Sequence, residues 1–460
     1  MISFPQDDKI VSRLKGHGRH AGMWIHDLGI CRDMKKHDHL GKDIWERSGN
    51  MFVIYDEKTR VPVRVWLADR GKLEESCLEQ AYHLAQLPFI HKWACLMPDT
   101  HTGKGMPIGG VIAAEGVIIP NAVGVDIGCG MNFVSTDLEV ERLRPVVTGN
   151  GTLIQAMISD IMRNIPVGFL SHRERQASRV LDRAMEQREL YQTNPILFPL
   201  IEDAYYQVGT LGGGNHFIEL QEDQNGYLGI MIHSGSRHFG KEICDCYHKR
   251  ARELNALWYS QVPDEYRLAF LPVDSQEGKE YITWMNLALA YAFENRKRMM
   301  ERVKSAVEEK VKRFLNIPIH FGEEINCHHN YAALENHYGK NVWVHRKGAT
   351  RAQKGEMAVI PGAMGSYSYV VKGKGNPESF CSSSHGAGRA YSRKGAMEAF
   401  TCEQVIRDLK AQGVVLGKNK KSDVAEECRF AYKDIRDVMK NQEDLVEAVL
   451  ELKTIGVVKG

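Results

Sequence analysis

Four short segments of the chain share one form: a chemically active side chain lies in a glycine-rich loop directly after an apolar run. The residues they carry are Asp126 and Cys129 in VDIGCG, Asn215 and His216 in LGGGNHF, His233 in IMIHSGSRH, and His385 in SSSHGAGR. Glycine allows a sharp turn and a close approach of the backbone to a ligand. Loops on a rigid scaffold often carry function. We therefore expect these loops to converge on one cleft.

A fifth segment, INCHHNY, adds His328 and His329 with no such loop. A single histidine at a strand end is more often a satisfied polar residue than a ligand, and Cys129 alone would more often be a small buried hydrophobe. Five such segments together indicate a metal or covalent site. A thiolate sulfur can bridge two ions, so one cysteine can organise a two-metal centre of the kind that promotes displacement at phosphorus. Ligand type alone favours Zn²⁺, whereas the carboxylate of Asp126 admits a harder cation.

Composition leaves the chain among ordinary globular proteins. Its 60 basic and 58 acidic side chains give a net charge of +2, so bulk charge gives no indication of nucleic-acid binding. The start, MISFPQDDKIVSRLKGHG, has no apolar signal-peptide core, and no apolar run approaches the roughly 20 residues that span a bilayer. We expect a cytoplasmic protein without a membrane partner, whose 10 cysteines are thiols.

Strand and helix patterns are interleaved irregularly. Period-two alternation predicts strands in MFVIYDE, VPVRVWLA, NVWVHRKG, EMAVIPG and SYSYVVKG. Helical spacing predicts helices in LEESCLEQAYHLAQLP and over residues 171–207, 284–315 and 423–451. Without a regular βα alternation, an α+β fold is favoured, with mixed sheets flanked by helices. We expect an N-terminal extension over residues 1–50, one large domain over residues 51–460, and a monomer.

A local basic segment lies in residues 340–375. Its cationic residues are Lys340, Arg346, Lys347, Arg351, Lys354, Lys372 and Lys374. Glycines and hydroxyl side chains beside these charges favour anion binding through backbone N–H groups over a solvated strand face. The pattern GxxxxGK[ST] is absent, so any nucleotide is bound without a P-loop.

At this point a family resemblance becomes specific. The segments MPDTHTGKG, GVDIGCGMN, GGGNHFIE, HSGSR, EEINCHHNY, RKGA, PGAMG, SFCSSSHGAGR, AYKDI and the terminal VVKG occur in one order between about residue 52 and the end of the chain. In these segments the chain resembles the RtcB-type RNA ligases. The resemblance implies joining of an RNA 3′-phosphate or 2′,3′-cyclic phosphate end to a 5′-hydroxyl end, with GTP and two Mn²⁺ ions, in RNA repair or tRNA splicing.

The resemblance also implies roles for single residues. Cys129 resembles the bridging thiolate, Asp126 and His216 the ligands of one Mn²⁺, and His233 and His329 those of the other. His385 resembles the histidine that attacks the α-phosphate of GTP and holds GMP. Asp99 matches a family carboxylate near the metals. The positions matching guanylate contacts are Asn215, His216, Phe217, Glu219, His329, Asn330, Ser368, His385, Ala387, Gly388, Tyr432 and Lys459. Candidates for RNA phosphate contacts are Arg237, Arg346, Lys347, Arg351 and Arg389.

Three departures from the family pattern concern the substrate. His238 stands where the family commonly has glycine, the proline before AYKD is absent, and the first ~50 residues have no counterpart in compact bacterial members. They suggest a specialised paralogue, leave the cellular RNA open, and leave open whether an activating protein partner is needed.

Three other functions remain alternatives. A di-metal phosphohydrolase would leave His385 without a task. A capping enzyme would guanylate 3′-phosphate ends without ligating them. An RNA-binding protein with an inactive centre would not need the full ligand set.

Overall fold

The computed structural model describes residues 43–149, 151–418 and 424–460. These residues combine two large β-sheets with helices, which confirms the α+β prediction. None of the described helices is both long and apolar enough to cross a membrane.

The first sheet has seven strands in the order β1-β2-β3-β4-β5-β15-β14. Their bounds are β1 (Asp43–Ser48), β2 (Met51–Asp56), β3 (Val63–Val65), β4 (Ile90–His101), β5 (Ile108–Ala114), β14 (Asn330–His337) and β15 (Lys340–Lys347). Neighbouring strands are antiparallel except β3 and β4, which are parallel. The strands predicted in MFVIYDE, VPVRVWLA and NVWVHRKG are therefore confirmed.

The second sheet has eight strands, seven of them in the order β13-β7-β11-β10-β21-β18-β17, with β20 paired to β21. Their bounds are β7 (Gly130–Glu139), β10 (Phe217–Asp223), β11 (Tyr227–Ser234), β13 (Ile325–His328), β17 (Met357–Ile360), β18 (Tyr367–Gly373), β20 (Val415–Gly417) and β21 (Val446–Lys459). Only β20 and β21 pair in parallel. Short two-stranded pairs complete the strands: β6 (Val117–Ile118) with β12 (Leu271–Pro272), β8 (Val147–Thr148) with β9 (Gly151–Thr152), and β16 (Ala349–Arg351) with β19 (Ser382–Ser384).

Ten α-helices are described. Their bounds are α1 (Glu75–Gln86), α2 (Pro120–Val123), α3 (Leu153–Asn164), α4 (Arg179–Glu186), α5 (Leu200–Gln207), α6 (Arg237–Leu257), α7 (Gln276–Leu315), α8 (Arg393–Ala399), α9 (Cys402–Ala411) and α10 (Ile435–Lys440). The helix predicted over 284–315 is confirmed as part of α7, which begins earlier because the Ser275 hydroxyl caps it by accepting from the N–H of Gly278.

The core lies on both faces of the second sheet. Apolar side chains of β7, β10 and β11 pack on one face against α3 and α7. The opposite face packs partly against α9. In β17 and β18, the side chains that alternate with those of this face pack against the apolar face of β4, β5 and β15 from the first sheet. The two sheets therefore meet where β4 of the first approaches β21 and β18 of the second.

Two helix predictions need correction. The helix predicted over 423–451 is wrong for most of its length: among the described residues of that range only α10 is α-helical, and Val446 begins the long strand β21. That strand lies between β10 and β18, and this sheet pairing outweighs the helical propensity of its Glu, Leu and Ala residues. Residues 171–207 are only partly helical, in α4 and α5. The predicted boundary near residue 50 stays a prediction; most of the N-terminal extension lies outside the described residues.

Candidate metal and nucleotide site

The turn that carries Asp126 and Cys129 connects α2 to β7, and its glycines are structurally required. Gly128 has φ 77°, a left-handed conformation, and a Cβ there would lie 2.8 Å from the Cβ of Ala292 on α7. A Cβ on Gly130 would lie 2.0 Å from the carbonyl oxygen of Cys327, in the strand that pairs with β7. The turn can therefore pack closely against both α7 and β13, which places its two polar side chains inside the junction of the sheets.

Two groups of metal-ligating atoms meet at this turn. One group is Cys129, His233 and His329, and the other is Asp126, Cys129 and His216; within each group the ligand atoms lie within 4.8 Å of one another. The Cys129 Sγ is 3.2 Å from His233 Nε2 and 3.5 Å from His216 Nε2. Cys129 is thus common to both groups, in the arrangement that the family resemblance implied.

Backbone carbonyls orient two of these imidazoles. Nδ1 of His216 lies 3.0 Å from the carbonyl oxygen of Leu211, and Nδ1 of His233 lies 3.1 Å from that of Asn215. A carbonyl oxygen only accepts, so Nδ1 carries the proton in each ring and Nε2 keeps its lone pair. Both Nε2 atoms lie within 3.5 Å of the Cys129 sulfur, with lone pairs available to a cation.

The electrostatics of the site also fit bound cations. Burial lowers the pKa of His233 and His329 well below the usual histidine range, so both imidazoles are neutral at pH 7. Oδ2 of Asp126 lies 2.9 Å from Nε2 of His216, so these two candidate ligand atoms are adjacent. Asp126 Oδ1 is buried and has no hydrogen-bond partner among the described residues. A buried, unpartnered carboxylate oxygen beside a thiol and three imidazoles fits a divalent cation; whether that cation is Zn²⁺ or Mn²⁺ stays a prediction.

His385 lies beside the metal-ligating groups and is held by Asp99. Nδ1 of His385 lies 2.6 Å from Oδ2 of Asp99, which also accepts from the backbone N–H groups of His385 and Gly386 at 3.0 and 3.2 Å. The carboxylate thus fixes the orientation of the ring and, in the neutral imidazole, places the proton on Nδ1 and the lone pair on Nε2. The ring centroids of His329 and His385 are 4.7 Å apart. Asp99 therefore contacts the candidate nucleophile directly.

A pocket opens beside His385. Residues of the predicted guanylate-binding set line it: Asn215, Phe217, Glu219, His385, Ala387, Gly388, Tyr432 and Lys459. Phe217 and Glu219 lie in β10, with Asn215 just before it, and Lys459 ends β21. His385, Ala387 and Gly388 follow β19, and Tyr432 lies between β20 and α10. The pocket joins a nucleophilic nitrogen, buried acceptors and cationic side chains in one cleft.

Comparisons with known proteins match most of this chain to a single family. Residues 80–460 match the family described as tRNA-splicing ligase RtcB. The chain belongs to the RtcB family. It is 38% identical over 407 residues to the RNA-splicing ligase RtcB of Escherichia coli K12, covering 87% of this chain and 97% of that protein. It is 32% identical over 482 residues to the tRNA-splicing ligase RtcB of Methanococcus maripaludis, covering 91% and 98% of the two chains.

Four positions taken from the RtcB resemblance as guanylate contacts do not line the pocket. His216 and His329 lie in the metal-ligating groups instead. The Ser368 hydroxyl accepts from the N–H of Gly362, which itself lines the pocket. Asn330 accepts from the N–H of Gly348 and donates its amide to the carbonyl of Asp126. Ser368 and Asn330 therefore support the loops around the site.

Two of the predicted RNA contacts do not fit the structure. Arg346 is fully buried, and its guanidinium forms an ion pair with Glu335 at 2.5 Å. Lys347 is 8% exposed, and its Nζ donates to the carbonyls of Lys104 and Asn121 at 2.7 and 3.0 Å. Because both cations are satisfied inside the protein, neither is available to an RNA phosphate.

The other three predicted RNA contacts differ in setting. Arg389 lines the pocket and lies 3.1 Å from Glu427. Arg237 is half-buried beside the His216 loop, with Nη2 donating to the carbonyl of Gly168. Arg351 forms an ion pair with Glu356 at 2.8 Å and keeps 41% of its side chain exposed. His238, which departs from the family pattern, is exposed and 3.6 Å from Glu242.

Sequence reasoning missed Glu427, which lines the pocket while only 5% exposed. Burial raises its pKa, but Lys459, the Tyr432 hydroxyl and Arg389 together lower that pKa below the usual range. Glu427 lies in AEECRF, without glycine or histidine. The only available signal was its position five residues before Tyr432. The pocket also includes Arg393 and residues 361–364, which carry the PGAM motif.

Proposed function

We propose that this protein is a GTP- and Mn²⁺-dependent RNA ligase that joins a 3′-phosphate or 2′,3′-cyclic phosphate end to a 5′-hydroxyl end. The observation that carries the proposal is the pairing of His385 with Asp99 beside the two metal-ligating groups that share Cys129. The names of the RtcB relatives, RNA-splicing and tRNA-splicing ligases, support the reaction class. RNA is then the substrate partner.

In the first step, Nε2 of His385 attacks the α-phosphate of GTP. A nitrogen–phosphorus bond forms, the bond to the pyrophosphate oxygen breaks, and His385 carries GMP as a phosphoramidate. The ring becomes positively charged as it attacks. Asp99, which accepts the Nδ1–H at 2.6 Å, stabilises that charge without taking the proton.

In the later steps, an oxygen of the RNA 3′-phosphate attacks the phosphorus of the phosphoramidate, and His385 leaves as the free imidazole. The 5′-hydroxyl of the second RNA end then attacks the activated 3′-phosphate and GMP departs. A 2′,3′-cyclic phosphate has no free monoester, so water must open it before guanylation. Arg389, with its guanidinium in the pocket, is suited to hold a phosphate of the RNA end.

Two Mn²⁺ ions would be held by Asp126, Cys129, His216, His233 and His329. When bound, they supply neutralisation of phosphate charge and orientation of the leaving pyrophosphate. The neutral imidazoles of His233 and His329 are ready to bind without first losing a proton.

Guanine recognition rests on carboxylates and an aromatic ring in the pocket. Guanine presents N–H donors on its Watson–Crick edge, and carboxylate oxygens accept such donors. Glu219 is 3% exposed and accepts from Gln221 Nε2 at 2.7 Å and Thr454 Oγ1 at 3.0 Å, so its carboxyl group is held in one orientation. Phe217 offers an apolar ring, with Lys459 Nζ 5.7 Å from its centroid.

A ligation assay tests the proposal. One RNA carries a 3′-phosphate and a second carries a 5′-hydroxyl; with GTP and Mn²⁺ the protein is expected to yield the joined strand, and Cys129→Ala is not. Guanylated 3′ ends that accumulate without a joined product would instead establish the capping reaction. Release of inorganic phosphate without GTP would establish a phosphohydrolase, which has no use for the His385–Asp99 pair.

A further inference from the structure

One buried arginine on α7 contacts the segments that carry one of the two metal-ligating groups. Arg296 is fully buried. Its Nε donates to Asn326 Oδ1 at 2.8 Å, and its Nη1 donates to the carbonyl oxygens of Gly128 at 2.7 Å and Ser234 at 2.9 Å. Its Nη2 lies 3.2 Å from Nδ1 of His328. That nitrogen is also 3.0 Å from the Gly128 carbonyl and cannot both accept and donate, so the first three contacts carry the argument.

Two of these partners are chain neighbours of a metal-ligating residue, and the third lies in the strand that leads into one. Gly128 immediately precedes Cys129. Ser234 immediately follows His233. Asn326 lies in β13, which ends one residue before His329. One guanidinium therefore connects the three segments that supply one complete group of ligands.

The other group is held by different contacts. The His216 imidazole is oriented by the carbonyl of Leu211, and the carbonyl of Asp126 accepts from the side-chain amide of Asn330. Among the described residues, Arg296 forms no hydrogen bond to the His216 segment, and its partner nearest to Asp126 in the chain is Gly128, two residues further on. The influence of Arg296 is therefore expected to differ between the two metal positions.

Arginine suits this connection for a chemical reason. Its planar guanidinium presents five N–H donors in a fixed fork, so its partners must keep a fixed mutual geometry. A lysine ammonium is a point charge on a flexible stem and imposes no such geometry. Burial lowers the pKa of Arg296 to about 10, which leaves it positively charged at pH 7. A buried cation is tolerated only when its donors are satisfied, so a shift of any of these segments is costly.

We propose that Arg296 is a positioning residue for the ion held by Cys129, His233 and His329. It acts through the backbone of the Cys129 and His233 segments and through β13. The ion held by Asp126 and His216 does not depend on it in the same way, although Cys129 is shared. This inference rests on the proposed metal centre.

Titration of Mn²⁺ into the chelator-treated, full-length protein by isothermal titration calorimetry tests the inference. The wild type is expected to bind two ions. Arg296→Met is expected to bind one of them about 10–100-fold more weakly, as is common when a residue that orients a metal ligand is removed, and the other with unchanged affinity. Arg296→Lys keeps the charge but loses the fork, so it should resemble Arg296→Met; it also carries the test if Arg296→Met does not fold.

Arg302 provides a matched control on the same helix. Its guanidinium donates to the carbonyl of Gly209 and to Gln176 Oε1, both at 2.9 Å, and neither partner is adjacent in the chain to a metal-ligating residue. Arg302→Met removes a comparable set of hydrogen bonds and is expected to leave both Mn²⁺ affinities unchanged. Thermal unfolding of each variant measures how much general stability has been lost.

Double variants assign the weakened ion. In a His216→Ala background, Arg296→Met should weaken the remaining ion. In a His233→Ala background, Arg296→Met should have no further effect on the affinity for the remaining ion, because both substitutions act on the same metal position. Equal weakening of both ions, equal weakening by Arg302→Met, or wild-type affinities in Arg296→Met would each overturn the inference. A wild type that binds no Mn²⁺ would contradict the proposed metal centre itself, which separates the two failures.

Discussion

At the scale of single residues, the chemistry depends on how Asp99 holds His385. The carboxylate Oδ2 accepts three hydrogen bonds, from the ring Nδ1–H and from the N–H groups of His385 and Gly386. This arrangement fixes both the ring's tautomer and its orientation. Sequence motifs identified both residues, but only the fold shows that Asp99, 286 positions away, is the partner of His385.

Replacement of Asp99 by asparagine tests this arrangement. Asp99→Asn keeps the size of the side chain but removes the charge that stabilises the attacking imidazole, so guanylation of His385 should slow on the order of 10²–10⁴-fold. Single-turnover labelling with GTP measures the rate. Asp69→Asn, at an exposed aspartate that accepts from a backbone N–H, is the matched control. A labelling rate in Asp99→Asn equal to that of the control would contradict the assigned role.

Glu219 supplies a pH-dependent prediction at the same scale. Burial raises the pKa of this carboxyl to about 7, although hydrogen bonds from Thr454 and Gln221 and the charge of Lys459 oppose the rise. The pKa in the folded protein therefore lies above that of the unfolded chain. The stabilising contribution is fully present below about pH 4.5 and is lost as the pH rises through about 7.

Glu219→Gln mimics the protonated carboxyl at every pH. The free energy of unfolding of the variant minus that of the wild type should increase by on the order of 2–3 kcal/mol from pH 5 to pH 8. Urea denaturation of the nucleotide-free protein at the two pH values measures the difference, and Glu57→Gln at an exposed site is the control. If the difference between Glu219→Gln and the wild type is the same at both pH values, the carboxyl does not titrate as described.

At the scale of elements, β21 shows where local sequence gives the wrong answer. Its first half, VEAVLEL, is rich in good helix formers, and helical spacing predicts a helix there. The strand forms because each of its edges pairs with another strand, β10 on one side and β18 on the other. Strand β10 precedes β21 by more than 200 residues in the sequence, so a local window of residues cannot reveal this pairing. The strand also delivers Lys459 to the pocket.

The pairing of β7 with β13 supplies a prediction at the element scale. A Cβ on Gly130 would lie 2.0 Å from the carbonyl oxygen of Cys327, so Gly130→Ala must separate the two strands. This change should lower the free energy of unfolding by roughly 2–4 kcal/mol and weaken Mn²⁺ binding, because β13 leads directly into His329.

Denaturation and metal titration measure the two effects of Gly130→Ala. The control is Gly149→Ala, where a new methyl group would have no heavy atom within 4 Å. An alanine variant at Gly130 with the stability and metal affinity of that control would show that the close approach of the two strands is unnecessary.

At the scale of the whole molecule, the site exists because two sheets meet. Asp99 lies on β4 of the first sheet, whereas His216, His233 and the turn that carries Cys129 belong to or adjoin strands of the second sheet. Glycine-rich loops made the identity of these residues predictable, since sequence alone singles out such loops. Their grouping into two sets that share Cys129 followed from the family resemblance. The support from Arg296, Asn330 and Glu427 was not predictable, because it depends on contacts between distant segments.

The fold of the whole molecule also explains why part of the basic segment 340–375 does not form an exposed basic surface. Strand β15 lies between β5 and β14, and Arg346 and Lys347, which point to opposite faces of the sheet, are both buried. A run of cations in sequence therefore does not imply a run of cations on the surface. The cations near the pocket, Arg389, Arg393 and Lys459, come from two other regions of the chain.

The central claim is that His385 becomes covalently attached to GMP, and labelling measures it most directly. The full-length protein is incubated with α-³²P-GTP and Mn²⁺ and run on a denaturing gel beside His385→Ala and, as control, His320→Ala at an exposed histidine. The account predicts an acid-labile label in the wild type and His320→Ala and none in His385→Ala. A folded, Mn²⁺-bound wild type without label, or a label of equal strength in His385→Ala, would contradict it.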